Sequence, residues 1–193
     1  MQVFLRRSAL IAAFSLALVA PRVQAQETGP ADAPVTIVEY ADFTSEASAR
    51  AAFLVKELVD QHFHVRVVFK HLPPSPSVNA NALRVHEAAL AAGTQGKFWE
   101  MSDLIFANQP HQSREELIGM ARQLALDVAR FTADLDSGAS GEFEAVISGD
   151  QTEARALGIK APACVVNGET LAWPVTLDDL KAHAAKWLPP ATR

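Results

Sequence analysis

The stretch TIVEYADFTSEASAR, residues 36–50, changes period in its middle. Val35 to Tyr40 is rich in β-branched residues on both alternating faces, which suits a central strand covered on each side. From Ser45 to Val59 the apolar residues Ala49, Phe53, Leu54, Val55 and Leu58 fall at helical spacing, so a strand runs through a short turn into a helix just where two serines stand. Ser45 and Ser48 lie three apart on the first turn, where free backbone N–H groups and the positive end of the helix dipole stabilise an anion. A thiol at such a place is acidic and reactive. Two hydroxyls there leave three readings: a thiol site without its sulfur, a serine-based site, or a helix cap in which Ser45 accepts from the N–H of Ser48 or its neighbour. No histidine or other base is placed by sequence beside either serine, which favours the cap.

Upstream, Arg6 and Arg7 precede an apolar run from Ala9 to Ala20, and Val23-Gln24-Ala25 forms a small-residue cleavage site. Residues 1–25 therefore read as a secretory signal peptide cut before Gln26, the apolar run being short for a membrane span. The expected location is periplasmic or secreted, with no membrane attachment after cleavage. The three arginines of this segment are removed with it, leaving 14 basic against 22 acidic residues, a net charge of about −8. Such a balance argues against nucleic acid or an anionic membrane as partner. Cys164 is the only cysteine in the chain, so no intramolecular disulfide forms, and its neighbours Ala163, Val165 and Val166 mark it as a buried thiol.

Downstream, Glu27 to Pro34 reads as an extended or loosely held polar segment, and His64 to Lys70 as a second strand ended by Leu72-Pro73-Pro74-Ser75-Pro76. Helices follow: one capped by Ser77 and running to about Ala92, one over 96–108, one behind the capping box Ser113-Arg114-Glu115-Glu116 and running to Leu126, one behind Asp127, and one over 142–157. Strand patterning returns at Pro162 to Val166, with a turn at Asn167-Gly168, a partner strand at Thr170 to Trp173 and a closing amphipathic helix over 177–187. The order β, α, β, helices, β, β, α implies an α/β fold, a mixed central sheet with flanking helices interrupted by an all-helical insertion. The expected organisation is a sheet domain of residues 26–74 and 158–193 with the insertion over 75–157.

Four stretches in this order carry a family resemblance: APVTIVEYADFT (33–44), VRVVFKHLP (65–73), QGKFWEMSDLIFANQ (95–109) and ALGIKAPACVVNG (156–168). Over roughly residues 30–185 the chain resembles the exported, DsbA-like members of the thioredoxin superfamily, a family of thiol-disulfide oxidoreductases. The resemblance implies a thioredoxin fold, a cis-proline at Ala161-Pro162 beside the helix start, and a Cys-x-x-Cys where this chain has Ser45-Glu46-Ala47-Ser48. A hydroxyl forms no disulfide, so the family's ordinary chemistry is excluded at this site and enzymatic activity is left open. Glu39 matches the buried acid that moves protons under the cysteines of relatives; from the residues alone it reads equally as a strand acid paired with Lys70 or partly solvated.

The family positions for catalysis are thus Ser45, Ser48 and Glu39, and those for substrate are Phe43, Glu46, Ala161 and Pro162, with Phe98 joining them along a shallow groove. Ala161 stands where relatives carry Thr or Val, and its backbone still offers strand-like pairing to a peptide. His62 and His64 share a face, with His71 near the strand's far end; no further ligand stands at credible spacing, so they read as surface histidines and no metal or other cofactor is implied. The function this favours is a redox-inactive binder of unfolded or extended polypeptide, a chaperone or adaptor. The alternative is a serine-dependent glutathione-binding enzyme resembling kappa-class glutathione transferases or isomerases, in which Ser45 would hydrogen-bond a glutathione thiolate; Glu46 beside it works against that anion. A third possibility gives Cys164 a role in mixed disulfides or in joining two chains. The oligomeric state is not legible.

Overall fold

The structure is a computed structural model that describes residues 26–61, 64–137 and 141–188. The expected signal peptide and His62 lie outside the described residues. Five strands form one sheet in the order β1-β3-β2-β4-β5. Strand β2 (Val35–Ala41) lies at its centre, parallel to β3 (Val65–His71) and antiparallel to β4 (Ala163–Val166). Helix α1 (Glu46–Gln61) makes the crossover that two parallel neighbours require.

The edges are β5 (Glu169–Ala172), antiparallel to β4, and β1 (Glu27–Thr28), antiparallel to β3. The segment expected to be extended or loosely held is extended and paired at its start. Phe69 N–H donates to Gln26 O at 2.7 Å, and Gly29, at φ +93°, passes so near the Val65 carbonyl that a Cβ would overlap it.

Between β3 and β4 come α2 (Ala82–Gly93), α3 (Phe98–Ala107), α4 (Arg114–Gln123), α5 (Val128–Asp136) and α6 (Glu142–Leu157); α7 (Leu177–Ala185) closes the chain. The Ser113–Glu116 capping box is formed in both directions, and the Asp127 side chain accepts from Arg130 N–H. Helix α2 starts five residues after Ser77, because the Ser77 hydroxyl bonds Ser75 Oγ at 2.7 Å in a turn and Asn81 spends its amide on Gln112 O. Helix α4 stops at Gln123, where Ala125 takes a left-handed φ of 55° and Leu126 N–H closes back on Ala121 O. Asn167 and Gly168 both have positive φ, 45° and 88°, a two-residue hairpin turn that places Glu169 opposite Val166 and starts β5 one residue before the expected Thr170.

Two large apolar clusters meet along one face of the sheet, and a smaller one of Tyr40, Ala154 and Ala163 lies on the other. One joins α1, α7 and the sheet through Val35, Ile37, Leu58, Val67, Cys164 and Leu180. The other carries α2 to α6, with Phe43, Phe69, Leu90, Met101, Ile105 and Phe131 at its centre. The alanines of α2, buried from Ala88 to Ala92, let neighbouring helices approach it closely. Phe53, expected on the apolar face of α1, is 46% exposed.

Candidate functional site

Strand β2 ends at Ala41, and Asp42 to Ser45 turn the chain into α1. The Asp42 carboxylate accepts from Thr44 N–H at 2.8 Å and Ser45 N–H donates to Asp42 O at 3.0 Å, a side-chain-stabilised turn. Ser45 Oγ accepts from Ser48 N–H at 3.3 Å and Ala49 N–H donates to Ser45 O, so Ser45 stands as the cap of α1. Ser48 is fully buried, and its Oγ accepts from Asp42 N–H at 3.0 Å. Glu46 is exposed and pairs with Arg50 at 3.5 Å.

Helix α2 and the loop between α3 and α4 hold this turn from behind. Phe43 N–H donates to His86 Nε2 at 3.2 Å, and Phe43 O accepts from the side-chain amides of Gln109 and Gln112. The Phe43 ring stacks on Phe69 at 4.8 Å, and both Phe43 and Phe98 are buried. Neither ring lines a groove, contrary to the sequence expectation. Their size makes burial worth about 2 kcal/mol each, which outweighs presentation to solvent.

Pro162 follows a cis peptide bond to Ala161. It precedes Ala163, the register partner of Tyr40, and so lies at the same end of the sheet as the start of α1. Leu157, Ile159, Ala161, Pro162 and Trp173 line a groove of about 560 Å³ there. A separate depression of about 960 Å³ borders Glu46, Arg50, Asn81 and Arg114. The single groove expected to join the serines to the proline edge is thus two depressions.

Glu39 is 2% exposed, neither paired with Lys70 nor solvated, which corrects its reading as a strand acid in either form; it is buried, as the family resemblance implies. Cross-strand register explains why: Glu39 lies opposite Phe69 and Cys164 on one face, whereas Lys70 lies opposite Tyr40 on the other. Lys70 Nζ reaches Asp150 Oδ1 at 3.0 Å and Glu153 Oε2 at 2.9 Å, and Tyr40 Oη donates to Glu153. Burial pushes the Glu39 carboxyl up to about 8, Asp103 adding to the effect, and its Oε1 has no hydrogen-bond partner among the described residues.

His71 is also fully buried, which corrects its reading as a surface residue; His64 is exposed as expected. His71 Nδ1 lies 2.9 Å from Nδ1 of His86. Because His86 Nε2 accepts from Phe43, the His86 proton sits on Nδ1 and is donated to His71, whose own proton is then on Nε2, an atom with no partner among the described residues. Burial lowers both imidazoles, so the pair is neutral at pH 7. Asp150 Oδ2 receives His71 N–H at 2.9 Å. Sequence reasoning missed His86 and Asp150; the available signal was one imidazole in the otherwise apolar run ALRVHEAALAA. Cys164 is buried, and burial, with Glu39 nearby, raises its thiol far above the ordinary value. Among the described residues no group of three or more His, Cys, Asp or Glu side chains is placed to hold a metal ion, and no helix is long and apolar enough to cross a membrane.

A family model described as Thioredoxin matches residues 24–184. Among solved structures, a thioredoxin-like oxidoreductase from Silicibacter pomeroyi DSS-3 is 25% identical with a TM-score of 0.74, covering 84% of this chain and 91% of that one. Pseudomonas aeruginosa DsbA2 is 25% identical with a TM-score of 0.67, covering 86% of this chain and 95% of that one. A curated relative, the Na(+)/H(+) antiporter NhaA 3 of Salinispora tropica, is 37% identical over 156 residues, 80% of this chain and 23% of that one. The chain spans less than a quarter of the length of the first curated relatives it matches. With a mixed five-stranded sheet and a cis-proline at residue 162 at the same end of the sheet as the start of α1, the chain belongs to the thioredoxin family in its DsbA-like form, with serines at both positions where the Cys-x-x-Cys would stand.

Proposed function

We propose that this chain is an exported, redox-silent member of the family that binds extended or partly folded polypeptide at the edge around Ala161 and Pro162. One observation carries the reading: both serine hydroxyls are engaged in local structure, Ser45 as cap and Ser48 as the closure of the turn, while an open groove of mixed lining, with Leu157, Ile159 and Trp173 in it, lies at the proline. Leu157, 62% exposed, gives that groove an apolar rim where a client's side chain would lose water. Purified residues 26–193 should suppress aggregation of a reduced, denatured client and show no insulin-reductase activity, and Leu157→Asp should weaken the suppression while leaving the circular dichroism spectrum unchanged. Failure to bind any unfolded polypeptide, or reduction of insulin by the unaltered protein, removes the reading.

An adaptor role beside an ion transporter is a second reading, favoured by relatives in which a stretch like this chain is a minor part of a protein named as an antiporter. Retention of the purified domain by a detergent-solubilised NhaA-type antiporter tests it. Serine-dependent glutathione binding has less support, since Ser45 Oγ already caps α1 and an exposed carboxylate follows it; no calorimetric heat at millimolar glutathione ends it.

A further inference from the structure

Beneath α1 lies a partly enclosed cavity of about 180 Å³ that the polypeptide-binding reading does not use. Its apolar walls include Val55, Phe69, Trp99 and Phe106, and one buried acid, Glu39, belongs to its lining. Glu39 Oε1 is shielded from water and has no hydrogen-bond partner among the described residues. An unsatisfied polar atom in an apolar setting costs free energy that a ligand's polar group would recover.

The titratable groups around the cavity and beside Glu39 select the sign of that ligand. Lys56 and Asp60 come from α1, Asp103 from α3, and Cys164, a neutral thiol, from β4. Lys56 is already committed to Asp103 at 2.9 Å. With Glu39 neutral, the charges facing the cavity leave an excess of one acid, and ionising Glu39 adds another. An anion is disfavoured, whereas a cation gains the carboxylates and the faces of aromatic rings. Size sets the body: an apolar cavity of about 150 Å³ accommodates benzene in another protein, so a single ring or short aliphatic chain fits here.

We propose that this cavity binds small organic ammonium compounds, with the ammonium group on the Glu39 carboxylate and the apolar body against Phe69, Trp99 and Phe106. The proton balance is explicit. At neutral pH the Glu39 carboxyl is protonated, so an incoming ammonium forms the ion pair and the carboxyl proton leaves to solvent, one released for each cation bound. Affinity therefore rises about tenfold per pH unit up to about 8 and levels above it. The site does not depend on the groove at Pro162, and the two readings fail separately.

Benzylammonium chloride is the probe, titrated calorimetrically into residues 26–193 at about pH 6, 7 and 8, in buffers of high and low ionisation enthalpy. The expected result is saturable one-to-one binding that tightens about tenfold per pH unit and releases close to one proton near pH 7. Glu39→Gln should abolish the proton release and the pH dependence, and weaken binding at pH 8 at least about tenfold. Ala52→Phe, which fills the cavity and leaves Glu39 in place, should abolish binding and guards against a folding defect in the first variant. Absence of saturable heat at roughly 10 mM probe and pH 8, or a pH dependence unchanged in a folded Glu39→Gln protein, overturns the assignment.

Discussion

The Ser48 hydroxyl, buried at the first turn of α1, accepts the Asp42 backbone N–H at 3.0 Å and so ties the helix to the end of β2. The hydroxyl at residue 48 thus acts as a strut. A thiol's lone pairs accept hydrogen bonds weakly, whereas a hydroxyl's do so well, so oxygen here gives the turn rigidity.

Ser48→Ala leaves the Asp42 N–H without its partner in a buried turn and should lower stability by about 1–3 kcal/mol. Ser45→Ala removes only a partly exposed cap and should cost about 1 kcal/mol. Urea unfolding followed by circular dichroism ranks the two, and equal midpoints for Ser48→Ala and the unaltered protein would remove the strut.

Cysteines at both positions should give exchange chemistry, because they would stand on the first turn of α1, at the same end of the sheet as the cis-proline. The double variant Ser45→Cys plus Ser48→Cys should reduce insulin in the presence of dithiothreitol, while each single variant should not. The Glu46 carboxylate opposes the helix dipole at the first thiol, so Glu46→Gln in the double variant should lower that thiol's pKa, read from the thiolate absorbance.

The buried imidazoles make stability depend on pH. Desolvation holds His71 well below its ordinary 6.5, with His86 and Lys70 adding, and desolvation also lowers His86 against the opposing pull of Asp42. The unfolded chain takes up these protons first, so the contribution of the pair is complete above about pH 6.5 and is lost as pH falls, at about 1.4 kcal/mol per pH unit for each ring. Glu39 has the opposite sign: raised from 4.5 to about 8 by burial and then by Asp103, it contributes fully below pH 4.5, and that contribution is lost as pH rises to about 8. Stability curves from pH 5 to 8 should therefore fall more steeply on acidification in Glu39→Gln than in the unaltered protein. Parallel curves would mean that Glu39 is ionised in the fold.

Cys164 should react with a thiol reagent only when the chain unfolds, since it is buried and its thiolate is disfavoured first by desolvation and then by Glu39. Labelling by dithionitrobenzoate should follow the unfolding rate and accelerate with urea. Rapid labelling in buffer would place the thiol at the surface and reopen the mixed-disulfide role.

What the chain declares by itself is local. The period change at Ser45, the capping box at Ser113, the Asp127 cap and the Asn167-Gly168 turn are interactions between near neighbours, and each was legible in a few residues. So was the absence of a second cysteine to pair with Cys164. Tertiary structure decided which partner each buried group meets. Lys70 serves Asp150 and Glu153 rather than Glu39 because β2 and β3 pair in a register that puts it on the opposite face. Phe43 turns inward because Phe69, His86 and Phe106 converge on it from other elements, and His71 meets His86 only once α2 packs on the sheet. Periodicity says that a face is buried; the identity of what covers it depends on segments tens of residues away, whose approach is set by the packing of the whole.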